Sequence, residues 1–173
     1  SPIVLTASAT ITNGETLMIE PGVTVGLGAG ISLTVANGGR LLAEGTADEP
    51  IVFTRSGTSG YWGNLSINGA VGSPASRITP ALFEFKANST GTAAIQVSAG
   101  TVFLDHLTFA NTGAPFIHVD GASFVISHCY FPAATAQFEP VHGTGGIRSD
   151  GHGILLRNFF GKPIGYNDVV DFT

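Results

Sequence analysis

Five histidines, twelve carboxylates and one cysteine hold most of the chemistry open to this 173-residue chain. His106 and His128 stand out because similar residues surround both: Leu104-Asp105-His106-Leu107 and Ile126-Ser127-His128-Cys129. Imidazole titrates near neutrality and is also a common metal ligand. Two imidazoles at equivalent positions of neighbouring strands would lie about 4.8 Å apart. With Asp105 beside them they could exchange protons with a substrate or share a metal ion. The competing role is conformational, because His, Asn and Asp tolerate left-handed backbone better than most residues.

Other groups are more scattered. Arg148, Asp150 and His152 make the densest polar cluster, just after the glycine-rich run Val141-His142-Gly143-Thr144-Gly145-Gly146-Ile147. On a surface loop they could bind an acidic sugar or a cation. Asn167, Asp168 and Asp171 offer oxygen ligands that suit calcium. Tyr61 and Trp62 are candidates for a sugar-stacking platform or for core packing. Glu84 and Asp120 could form the carboxylate pair of a glycoside hydrolase, although sequence gives no separation between them. The glycine-rich run has neither a P-loop nor a dinucleotide-turn pattern, and no Gly-x-Ser-x-Gly elbow is present. With Cys129 alone, an internal disulfide and a cysteine-based zinc site are excluded.

The elements that must position these residues are strands. Runs such as Ile3–Ile11, Thr16–Glu20, Val23–Leu27, Ile31–Val35, Arg40–Ala43, Ile51–Arg55 and Asn64–Ile67 are β-branched or alternating, and Gly, Pro or Asn separates them. No segment keeps a 3.6-residue period over three turns. In the second half four segments align, with Pro80, His106, His128 and Asn158 in corresponding places at spacings of 26, 22 and 30 residues. Strand alternation runs to Leu104, breaks over Asp105-His106 and resumes at Leu107, which predicts a bend between two strands. Ile78, Leu104, Ile126 and Leu156 are expected in one interior ladder, and Phe83, Phe109 and Phe131 in another. A recurrence at this period marks a solenoid whose coils bury their apolar faces only by stacking.

Composition agrees. Charged residues make up 11% against roughly a quarter in average domains, and 24 glycines suit many tight bends. The net charge of −5, with seven scattered Lys and Arg, argues against nucleic acid as a partner. No apolar run approaches the ~20 residues of a membrane-spanning helix.

Three stretches resemble the opening coils of bacterial secreted and surface proteins built on a right-handed parallel β-helix of the pectate-lyase-like type. They are Gly14-Glu15-Thr16-Leu17-Met18-Ile19-Glu20-Pro21-Gly22-Val23-Thr24-Val25, Gly39-Arg40-Leu41-Leu42-Ala43-Glu44-Gly45-Thr46-Ala47-Asp48-Glu49-Pro50-Ile51-Val52-Phe53-Thr54 and Trp62-Gly63-Asn64-Leu65-Ser66-Ile67-Asn68-Gly69. The resemblance implies an all-β solenoid of about six to seven coils with little or no helix. It would form a single domain over 1–173, with opening coils in 1–75 and repeated coils in 76–173. An apolar strand-like stretch lies at each end, so the chain is expected to be a fragment of a longer solenoid, or to be covered there by further coils or by self-association. The expected function is a secreted or surface structural or adhesive module touching a polysaccharide or surface glycan. The alternative is a polysaccharide-active lyase, hydrolase or epimerase using Asp105, His106, His128, Asp150 or His152. A third reading, ice or mineral binding through Thr6, Thr10 and Thr12, lacks enough threonine ladders at coil spacing.

Overall fold

Short alternating runs with glycine between them give strands too brief to be stable alone, so each must be completed by neighbours. The structure, a computed structural model, describes residues 2–86, 92–112, 115–133, 139–144, 152–161 and 170–172. Among these residues the regular elements are all strands. The first three are β1 (Ile3–Leu5), β2 (Ala9–Ile11) and β3 (Thr16–Ile19), followed by β4 (Thr24–Leu27), β5 (Leu33–Val35) and β6 (Arg40–Glu44). Next come β7 (Ile51–Arg55), β8 (Leu65–Ile67), β9 (Ser76–Thr79), β10 (Ala81–Glu84), β11 (Ile95–Ser98) and β12 (Thr101–Asp105). The series continues through β13 (Leu107–Ala110), β14 (Ile117–Asp120), β15 (Ser123–Ser127), β16 (Tyr130–Phe131), β17 (Val141–Thr144) and β18 (Gly153–Leu156). Last are β19 (Phe159–Phe160) and β20 (Val170–Phe172).

Each strand pairs in parallel with the strand three places later, so every third strand joins the same sheet. The first sheet runs β1-β4-β7-β10-β13-β16-β19, the second β2-β5-β8-β11-β14-β17-β20 and the third β3-β6-β9-β12-β15-β18. The result is an all-β parallel solenoid, as the repeat predicts. The abundance of glycine has a local cause at Gly39, where a Cβ would stand 2.5 Å from the Ile11 carbonyl oxygen.

The interior is built of register-locked ladders. Phe53, Phe83, Phe109, Phe131 and Phe160 stack in sequence with ring centroids 4.8, 5.5, 5.4 and 4.9 Å apart. The first four are buried, and Phe160 packs partly buried at the end of the stack. Ile78, Leu104 and Ile126 pair in the third sheet as expected. The phase break is also where the pattern puts it: His106 alone separates β12 from β13, with φ 52°.

The last coil corrects the sequence register by one residue. Leu155, not Leu156, pairs with Ile126, and Leu156 pairs with Ser127. The left-handed bend residue matching His106 and His128 is therefore Arg157, at φ 54°, and not Asn158. Two consecutive leucines left the alternation phase undetermined there. Asn158 instead takes the inward place that Cys129 holds one coil earlier. Its side chain spends both polar atoms on that coil, Oδ1 accepting from Cys129 N (2.9 Å) and Nδ2 donating to the Ile126 carbonyl (2.8 Å). Among the described residues β18 ends the third sheet, and Ile154, Leu155 and Leu156 are all exposed.

Phe109 sits between Phe83 and Phe131 and touches Phe116, whose ring centroid is 5.0 Å away. Phe109→Ala should cost about 3–5 kcal/mol in a denaturant titration. A loss under about 1 kcal/mol would mean that the ring is not in the core.

Candidate functional site

The bends between the third and first sheets hold the residues that the histidine pattern singled out. At the equivalent points of two successive coils, His106 (φ 52°) and His128 (φ 51°) turn the chain with left-handed backbone. Their N–H groups bond to the next coil, at Ser127 O and Leu156 O, both at 3.0 Å. The conformational role is thus real, since Arg157 adopts it too. It also brings the two side chains into stacking, with ring centroids 4.7 Å apart and planes 18° apart.

Asp105 lies at the centre of the cluster. His106 Nδ1 donates to its Oδ2 (2.7 Å), while His128 Nδ1 (2.9 Å) and Ser127 Oγ (2.6 Å) donate to its Oδ1. Partial burial pushes the carboxyl up. The hydrogen bonds from Ser127, His128 and His106, with the charge of His106, outweigh burial and hold it at about 2. A carboxylate ionised at any ordinary pH therefore fixes both rings as donors at Nδ1. Beside it a shallow pocket of about 360 Å³ is lined by Ala47, Pro50, Pro80, Leu82, His106 and Thr108. The outer row of the first sheet continues from Leu82 and Thr108 to Tyr130 and Phe159, an exposed aromatic pair stacked at 5.1 Å.

Among the described residues, the other sequence candidates do not join this cluster. Of the two roles open to Trp62, the fold gives it core packing: it is buried, packs 6.4 Å from Phe83 between ring centroids, and donates from Nε1 to the Glu84 carbonyl at 2.6 Å. Its neighbour Tyr61 is exposed. Glu84 lies in the first sheet and Asp120 in the second. His152 is exposed beside β18. Arg148, Asp150, Asn167 and Asp168 lie outside the described residues, as does the side chain of Asp171, whose backbone pairs with His142 in β20. Cys129 is buried, and burial is the main cause that pushes its thiol up to about 12, so it is no nucleophile.

Two polar features had no sequence signal. Lys86 is buried beside Trp62, donates from Nζ to the Thr92 carbonyl, and is pushed down to about 8 by burial. The second sheet carries an outward row of Thr10, Thr34, Ser66, Gln96, His118 and His142. Gln96 Nε2 donates to His118 Nδ1 at 2.9 Å, and the His118 and His142 rings meet edge to face. Glu139 Oε2 approaches His142 Nδ1 to 3.2 Å, but the alignment makes no hydrogen bond and leaves that buried nitrogen unpaired among the described residues.

The family model for the pectate-lyase-like β-helix domain matches residues 3–105. That is more than half of the chain, so the protein belongs to this family. No curated protein and no solved structure matches it significantly. The matched stretch ends at Asp105, and His106 and His128 fall beyond it.

His118 supplies a pH prediction. Burial lowers its pKa first and His142 lowers it further, while Asp120 partly offsets both. Above the unfolded value of about 6.5 both states hold it neutral and it costs nothing. Below that, the unfolded chain takes up a proton that the native state resists, so stability falls as pH drops until the native pKa is reached. Thermal melts at pH 7 and pH 5 should show a smaller drop in Tm for His118→Gln than for the unaltered protein. Equal drops would show that His118 is as free to protonate in the fold as in the unfolded chain.

Proposed function

We propose that this domain is a secreted or cell-surface module of bacterial type, structural or adhesive, that binds a polysaccharide or surface glycan along the outer face of its first sheet. The observation that carries the reading is the exposed Tyr130–Phe159 pair, in the same outer row as the pocket residues Leu82 and Thr108. Apolar ring surface can pack against the C–H faces of a sugar, and hydrogen-bonding groups close by can fix its hydroxyls. His106 supplies such a group in the pocket lining, with Asp105 bonded to it and His128 stacked on it. A solenoid also suits a chain ligand, because equivalent positions recur at the strand spacing of about 4.8 Å.

One observation favours a polysaccharide-active enzyme instead. Asp105 holds both imidazoles through Nδ1, and neither Nε2 makes a hydrogen bond among the described residues. That is the arrangement of a general base oriented by a carboxylate.

Titration with a panel of neutral and acidic oligosaccharides, followed by calorimetry, separates these readings. Saturable binding should appear for at least one glycan, and Tyr130→Ala should weaken it about tenfold with an unchanged circular dichroism spectrum. Binding indifferent to Tyr130 would remove the first-sheet face from the account. Unsaturated or reducing ends released from the same glycans would make the enzyme reading the correct one.

A further inference from the structure

We propose that Asp105, His106 and His128 form a binding site for a zinc-type divalent transition metal ion. Two imidazoles and one carboxylate are a donor set that suits zinc and its neighbours in the first transition row. One ligand atom from each residue lies within 4.8 Å of the other two. Metal–ligand bonds of about 2.0–2.1 Å let one ion span at most about 4.2 Å between two donors, so the widest pair must close by roughly half an ångström. The side chains are 36%, 56% and 35% exposed in the order Asp105, His106, His128, and rotation supplies that movement.

Convergence is already built into the fold. Both Nδ1 atoms point at the carboxylate, and Ser127 Oγ donates to its Oδ1 at 2.6 Å. Such an outer hydrogen bond orients a ligating carboxylate and sharpens its affinity. The ion would replace the two Nδ1–H···Oδ bonds. A ring that binds the ion through Nδ1 carries its proton on Nε2. The remaining coordination positions open to solvent and to the neighbouring pocket at His106. The rungs on either side are Pro80, which has no ligand atom to offer, and Arg157, whose charge opposes a cation. Both confine the ion to the interval between His106 and His128.

This inference does not rest on the glycan reading, and its test contains no sugar. Metal-free protein is titrated with zinc chloride in a calorimeter, alongside His106→Asn, His128→Asn and the double variant. Asn tolerates left-handed backbone, so the bends should survive the change. The expected result is one zinc ion per chain, with affinity reduced about tenfold or more in each single variant and lost in the double one. Absence of saturable uptake, or uptake unchanged in the double variant, overturns the proposal. Pulsed electron paramagnetic resonance of the unaltered protein with one equivalent of copper(II) gives an answer that needs no variant. Couplings from two imidazole nitrogens are expected, and couplings from one or none contradict the site.

Discussion

The fold depends on the fixed vertical register between coils. A strand of three to five residues cannot bury enough surface to hold itself, and a single coil has no interior. Parallel pairing places Phe83 over Phe53, Phe109 over Phe83 and Phe131 over Phe109, so each ring is buried by its equivalents in neighbouring coils. Offset stacking adds roughly 0.5–1.5 kcal/mol per pair to the area that each ring buries. A slip of one residue would turn this whole set outward, which is why the interior and the pairing specify each other.

The same constraint builds the outer surface. The bend position of one coil recurs one strand spacing away in the next. His106 and His128 are 22 residues apart in sequence and stacked in space for no reason beyond this. Asp105 then lies within reach of both rings, and Ser127, its partner one coil on, donates to the same carboxylate. A polar cluster of this kind needs no cleft, and a rigid scaffold makes it at any corner where the side chains suit.

The solenoid was legible in the sequence because its two strongest signals are local. Alternation with period two marks the strands, and the break at Asp105-His106 marks the bend. The phenylalanine ladder followed from the same alignment. At Leu155-Leu156 two adjacent apolar residues erase the alternation, so the bend was misplaced from Arg157 to Asn158. Tyr61 and Trp62 stand side by side with the same two roles open to both, and only the fold divides them, burying Trp62 and exposing Tyr61. His118, His142 and Lys86 gave no signal. An outward polar residue on a strand looks the same whether its neighbour one coil away is a threonine or a second histidine. A lysine is read as exposed unless the packing around it is known. Trp62 could be placed beside Lys86 only in three dimensions.

Register can be measured directly by cross-linking. Phe103 and Val125 face outward on β12 and β15 and are paired partners. Cysteines at both positions would fall within the ~4.4–6.8 Å Cα separation that a disulfide accepts, whereas cysteines at Phe103 and Ser127 would be about 8 Å apart. Cys129 is buried and does not compete. Under mild oxidation, Phe103→Cys/Val125→Cys should form an intramolecular disulfide almost completely and Phe103→Cys/Ser127→Cys should not. Efficient cross-linking of the second pair, with none of the first, would contradict the register on which the interior ladders and the Asp105 cluster are built.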